Sequence, residues 1–340
     1  MVSSAYHGSL FTNDFVESSI ATLPDWQALS DIELSDLSTT ISSIFSRFPV
    51  NQTPNEATTE HDLIWPILRA LGWEHYLTQQ NLTATGRQDV PDAILFVDEG
   101  AKNRANANPE EWRRYDFGAA LIESKRWLRP LDRRSEKRDE ITAPSTQMLR
   151  YLRRVDDLTS GTLRWGILTN GLRWRLYYSG ARSIAEDFFE IDLGAVLGLS
   201  GLDGGLFALQ PKERAHWFKV FVLAFRRHAF VASTDQRTFH ERALAEGKFY
   251  EERVAKDLSD LVFGFVFPAL AKGIADAAPK ADLQRVREAA LVLLYRLLFI
   301  LYAEDRDLLP VREARYDVYS LREKVRLDVR RRKDAGDVFS

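Results

Sequence analysis

The chain has 340 residues and no cysteine. That excludes a disulfide framework, a thiol nucleophile and thiolate metal sites, and it agrees with a reducing cytoplasm, the expected location. Long apolar runs are also scarce. The most apolar segment, Ala289 to Ala303, is interrupted by Arg296 and is too short to span a bilayer. The opening residues Met-Val-Ser-Ser-Ala-Tyr-His-Gly show no secretory leader pattern. A soluble protein without membrane contact is therefore expected. Histidines number six and are scattered. The His240-Glu241-Arg-Ala-Leu stretch does not complete a His-Glu-x-x-His zinc motif. No Gly-x-Ser-x-Gly elbow and no phosphate-cradling Gly-Lys-Ser/Thr loop occurs. Net charge is only −3, so nucleic-acid binding would have to come from local patches.

What is present suits folded cores: 45% of residues are apolar and 11% aromatic, in a chain long enough for two domains. Residues 1–55 read as an N-terminal extension with a helix around Leu34–Phe48. Thr58 and Thr59 can cap a helix from about Glu60 to Leu71, with Pro66 as a kink and Glu60 in the first turn. A strand near His75–Gln79 follows, then a strand Asp92–Val97. The charged, Asn-rich stretch Asp98–Arg114 reads as a structureless, solvated insertion before a strand Phe117–Glu123.

The segment Pro91 to Lys125 carries the chemistry. Residues two apart in a strand share a face, about 6.5 Å from each other, so Glu123 and Lys125 project together. With Asp92 on the neighbouring strand, two carboxylates and one ammonium meet at one spot, a setting for a divalent cation and a phosphate. A basic run follows: Arg126, Arg129, Arg133, Arg134, Lys137 and Arg138. It reads either as a solvated face or as a grip on a nucleic-acid backbone. Trp127 is expected to pack rather than stack on a base. A helix from about Ser145 to Leu158 carries Gln147 and Tyr151, and the Asn170-Gly171 pair marks a hairpin between 163–169 and 172–178. A Gly- and Leu-rich stretch at 194–205 suggests a domain boundary, with an all-helical region over 206–340. Glu246-Gly247-Lys248 repeats the Glu-x-Lys pattern, but it follows no apolar strand and no Pro-Asp pair.

Pro91-Asp92 and Glu123-Ser124-Lys125, in this order of elements, resemble the PD-(D/E)xK nuclease superfamily. The resemblance implies an α/β fold of the restriction-endonuclease kind, a mixed sheet flanked by helices, over residues 56–195. It implies that Asp92 and Glu123 hold Mg²⁺, for which Mn²⁺ can substitute. Lys125 would position or activate the attacking water, with Glu60 and Gln147 in support. The segment Ala290 to Pro310, with Tyr295, Tyr302, Glu304 and Asp305, resembles the helical connector of fused restriction–methylation enzymes of type IIG and related phage-defence proteins. That implies double-stranded DNA as the partner, dimerisation on DNA, and methyltransferase and target-recognition regions supplied elsewhere in a longer chain or by a partner protein. The chain has no Asn/Asp-Pro-Pro-Tyr motif, so no methylation by it is expected. The rival reading is a catalytically silent DNA-binding or scaffolding module, and a further one is a protein–protein adaptor.

Overall fold

Seven strands form one mixed sheet in the order β1-β7-β6-β5-β4-β3-β2. The strands are β1 (Tyr6–His7), β2 (His75–Thr78), β3 (Ala93–Phe96), β4 (Ala120–Ser124), β5 (Trp165–Thr169), β6 (Arg173–Tyr178) and β7 (Phe188–Asp192). They belong to a computed structural model that describes residues 5–83, 86, 89–134, 142–202, 208–305, 308–311 and 313–334. All neighbours pair antiparallel except β4 and β5. A parallel pair needs a crossover connection, and the helix between these two strands supplies it. The chain is thus a mixed α/β protein.

The helices of the sheet-bearing unit are α1 (Asn13–Glu17), α2 (Pro24–Ala28), α3 (Asp31–Arg47), α4 (Glu56–Thr59), α5 (Trp65–Ala70), α6 (Glu99–Asn106), α7 (Pro144–Leu158), α8 (Leu193–Leu197) and α9 (Pro211–Phe225). Strand alternation divides the sheet's two faces. Ala93, Leu95, Ala120, Ile122 and Ile167 join a core with Leu63, Ile67, Phe221 and Phe225. Ile94, Phe96, Leu121 and Leu168 face the other way, against Met148, Tyr151, Leu152 and Val155 of α7. Both faces are covered, which explains why the central strands read as continuous apolar runs.

Packing divides the chain after Tyr250, with a second unit from Glu251 onward. This differs from the boundary expected at 194–205 and from an N-terminal extension ending at 55. Phe15, Val16, Ile20, Ile41 and Phe45 from the first segment, and Trp217, Phe218, Phe221 and Phe225 of α9, are buried in the same core as the sheet. Gly- and Leu-rich sequence marks a turn there, since Gly198 adopts φ +65 as the cap of α8, and not a domain border.

The stretch expected to be structureless, 98–114, holds α6 and a 3₁₀ turn, Glu111–Phe117. Asp98 caps α6 by accepting a hydrogen bond from the Ala101 N–H at 2.6 Å, and Ala101 and Ala105 supply a buried face of small residues. Two alanines four apart give too weak an apolar signal to read among so many charges.

α10 (Phe239–Leu261) crosses the division between the units. The second unit continues with α11 (Phe267–Ala277), α12 (Leu283–Asp305) and α13 (Arg326–Asp334), and its described elements are all helical. The run Phe239–Ala277 is long and apolar enough to cross a membrane by length and composition, with mean hydropathy 1.5 over its most apolar window. Many large apolar side chains of this unit are exposed, among them Phe265 at 72% and Phe299 at 67%.

Pro66 and Pro268 share a device. Each follows a π-helical turn, Glu60–Ile64 and Val262–Val266 respectively. Proline lacks an N–H and its ring crowds the carbonyl four residues back; the wider turn accommodates both without ending the helix.

Candidate active site

The site forms where β3 begins and β4 ends. Asp92 lies one residue outside the Ala93–Ile122 pair, so it sits across from Glu123. Its carboxylate Oδ2 accepts a hydrogen bond from the Ser124 N–H at 2.6 Å. Strand alternation puts Glu123 on the α7 side with Leu121, and Lys125 continues that side. The Lys125 ammonium donates to Glu123 Oε1 at 2.6 Å, while its backbone N–H donates to the Thr169 carbonyl at 2.8 Å, extending the parallel ladder. Asp92, Glu123 and Lys125 therefore converge, as the spacing predicts.

Glu60 also belongs to this cluster. It sits on the π-helical turn, and its carboxyl is pushed up to about 7, first by burial and then by the negative charge of Asp92. Glu56, one helical turn earlier, was not singled out by the sequence. Its Oε1 lies 3.8 Å from Lys125 Nζ. The signal for it was available: Glu56 and Glu60 are four apart on one helix and share a face.

Gln147 reaches the site through a neighbour. Its Nε2 donates to the Tyr151 hydroxyl at 2.8 Å. That hydroxyl is raised by burial and by the charge of Glu123.

Electrostatically the site is over-supplied with acid. Burial raises the Glu123 carboxyl most, Asp92 raises it further, and Lys125 opposes both. Burial likewise raises Asp92, against the Lys125 ammonium and the Ser124 N–H. Burial works against the Lys125 charge, but Glu123, Glu56 and Asp92 raise its pKa on balance. Four carboxyls thus surround one ammonium. Glu123 is only 2% exposed, and its Oε2 is buried with no hydrogen-bond partner. A bare carboxylate oxygen in such a place is costly.

Among the described residues, no group of three or more His, Asp or Glu is placed so that it could hold a metal ion. Mg²⁺ asks for less, since one or two carboxylates with water and phosphate usually hold it. Asp92 and Glu123, with the unpartnered Oε2, fit that requirement.

The loop after Lys125 is anchored from two sides. Trp127 is buried; its N–H donates to Thr59 Oγ1 at 3.0 Å and its ring packs on Phe48 at 5.2 Å, so it packs as expected. Arg129 is buried as well, which removes it from a DNA-facing surface, and its carbonyl accepts from Asn170 Nδ2 at 2.9 Å. Gly171 of the hairpin turn has φ +85, a conformation that favours glycine, and a Cβ there would crowd the end of the Leu63 side chain at 2.4 Å. Arg126 is half-buried and Arg133 and Arg134 are exposed. Lys137 and Arg138 lie outside the described residues. The second Glu-x-Lys copy falls on α10, with Glu246 and Lys248 both exposed on a helix rather than at the end of a buried strand.

Compared with known proteins, the chain matches no family model, no curated protein and no solved structure.

Proposed function

We propose that this chain is a Mg²⁺-dependent DNA endonuclease module with a PD-(D/E)xK-type site, acting in a restriction or phage-defence setting. The observation that carries this reading is the convergence of Asp92, Glu123 and Lys125 around a buried carboxylate oxygen that has no partner. The sheet supports it: the acids lie on an antiparallel strand pair, and a helical crossover leads to a parallel neighbour, as in restriction-endonuclease-like folds.

Asp92 and Glu123 would hold the cation. Bound Mg²⁺ supplies an acidified water and offsets charge on the phosphate. Lys125 places a positive charge where negative charge develops on the reacting phosphate. Glu60, with its carboxyl near neutrality, is suited to accept a proton from the attacking water. Gln147 steadies the Tyr151 hydroxyl beside Glu123.

The second unit acts as a connector in this reading. Its exposed apolar surface, including Phe265, Phe299 and Leu298, is of the kind that marks a protein interface. The same surface suits the alternative, a silent scaffold for an associated adenine methyltransferase. Calorimetric titration with Mg²⁺ or Mn²⁺ separates the two. A nuclease binds the cation, and Asp92→Asn and Glu123→Ala lose that binding. A scaffold shows no cation binding that depends on these residues.

A further inference from the structure

We propose that the outward face of α7, carrying Arg150, Arg153 and Arg154, binds the phosphodiester backbone of nucleic acid beside the candidate active site. This rests on the nuclease reading for the identity of the ligand. The built feature is Asp89. Its side chain is 6% exposed and takes two guanidiniums: Oδ1 accepts from Arg150 Nε at 2.9 Å, and Oδ2 accepts from Arg154 Nη1. A single ion pair would satisfy a buried acid. Here one acid fixes two arginines, each left with donors to spare and with 50% and 39% of its side chain exposed.

Arg153 lies between them along the helix and is exposed, and no ion pair to it is present among the described residues. Met148, Tyr151, Leu152 and Val155 take the opposite, buried face. Asp156 is engaged by Arg164 at 3.2 Å, which leaves Asp157 as the acid on the arginine face. The face keeps a positive surplus beside a site rich in acid.

Two covalent routes place this face next to the site. Asp89 is three residues before Asp92, within about 10 Å of chain. Gln147, beside Tyr151 and Glu123, is one turn before Arg150 on the same helix. Arg150 to Arg154 covers about 6 Å of helix axis, close to two nucleotide steps at about 3.4 Å each. Guanidiniums fork onto phosphate oxygens better than ammoniums do. The basic loop after Lys125 offers less, because Arg129 is buried.

The test uses the full chain and a labelled duplex oligonucleotide in EDTA, where nothing is cut, with anisotropy read over a salt series. Arg153→Ala should flatten the slope of log K against log salt by about 0.9. Arg153→Glu should weaken binding further, on the order of tenfold at low salt. Both substitutions are at an exposed position, and a circular dichroism melt confirms folding. Doubly substituted Arg150→Lys with Arg154→Lys keeps the charge and should lose affinity through the missing forks. Wild-type affinity and slope in Arg153→Glu would overturn the proposal, as would the absence of salt-dependent binding by the wild-type chain. These readouts involve neither cation nor hydrolysis. If Glu123→Ala abolishes cutting while Arg153→Glu binds normally, the arginine face fails and the nuclease reading stands. If the slope changes while Glu123→Ala still cuts, the nuclease reading fails instead.

Discussion

Lys125 Nζ lies 2.6 Å from Glu123 Oε1 and 3.8 Å from Glu56 Oε1, so a single ammonium answers two carboxylates of unequal burial. The closer partner is buried and the farther one is about half exposed. A cation on the Glu123 oxygens would leave Glu56 as the partner to hold the ammonium in place. Lys125→Ala is therefore expected to slow single-turnover DNA cleavage on the order of 10²–10³-fold. Glu56→Gln should slow it by a smaller factor, and in a Lys125→Ala background its effect should vanish. An equal effect of Glu56→Gln in both backgrounds would mean that it does not act through the lysine.

Stability should fall with rising pH when no divalent cation is present. Glu60 has its folded value raised to about 7 from an ordinary 4.5, and Asp92 and Glu123 are raised as well. In this window the folded state holds protons that the unfolded chain has released, so each step up in pH favours unfolding. The stabilising contribution is full below about pH 4.5 and is lost as pH rises through the folded values. Thermal melts at pH 5 and pH 8 should show a smaller drop for Glu60→Gln than for the wild type. Adding Mg²⁺ at pH 8 should raise the wild-type midpoint, because a ligand of the folded state stabilises it by mass action. An identical drop in both proteins would contradict the charge crowding described for the site.

Arg175 is a structural counterpart to the site. It is 2% exposed, pairs with buried Glu190 at 2.6 Å, donates to both oxygens of Asp132 and stacks 4.0 Å from the Phe188 ring centroid. Asp132 lies in the loop that leaves the site, so the pairing pins that loop to β6. Arg175→Ala leaves buried Glu190 with only the longer 3.4 Å contact to Arg173, and should cost about 3 kcal/mol in urea unfolding of the first unit. Asp132→Asn, with 61% of its side chain exposed, should cost below about 1 kcal/mol. A small loss for Arg175→Ala would show that the network does not carry this part of the fold.

Much of this centre was legible from order and alternation. Ala93 to Phe96 and Ala120 to Ile122 are apolar runs buried on both faces, and Asp92 and Glu123 sit directly before and after them. The Asn170-Gly171 pair gave the hairpin because Gly171 needs a positive φ. Other features carry no local pattern. Burial of Phe15 and Phe45 depends on long-range packing, and so does the burial of Arg129 among basic neighbours. Glu56 shares a helix face with Glu60 by its spacing, but its pairing with Lys125 joins distant parts of the chain and follows only from the fold. The arginine pairing of Asp89 joins residues 61 and 65 positions apart, a separation that periodicity does not reach.

The second Glu-x-Lys copy provides an internal control. Glu246 and Lys248 are exposed on a helix. Glu246→Ala with Lys248→Ala should cleave DNA at the wild-type rate and melt within about 1 kcal/mol of it. A large loss of cleavage in this variant would place the reacting centre elsewhere.

The most direct measurement of the central claim is cleavage of supercoiled duplex DNA in Mg²⁺ by the wild-type protein and Glu123→Ala, in the longest natural form of the chain, with product ends analysed. Metal-dependent nicking or linearisation by the wild type, absent in Glu123→Ala and in EDTA, is the predicted result. Equal cleavage by Glu123→Ala, or none by the wild type, would contradict the account.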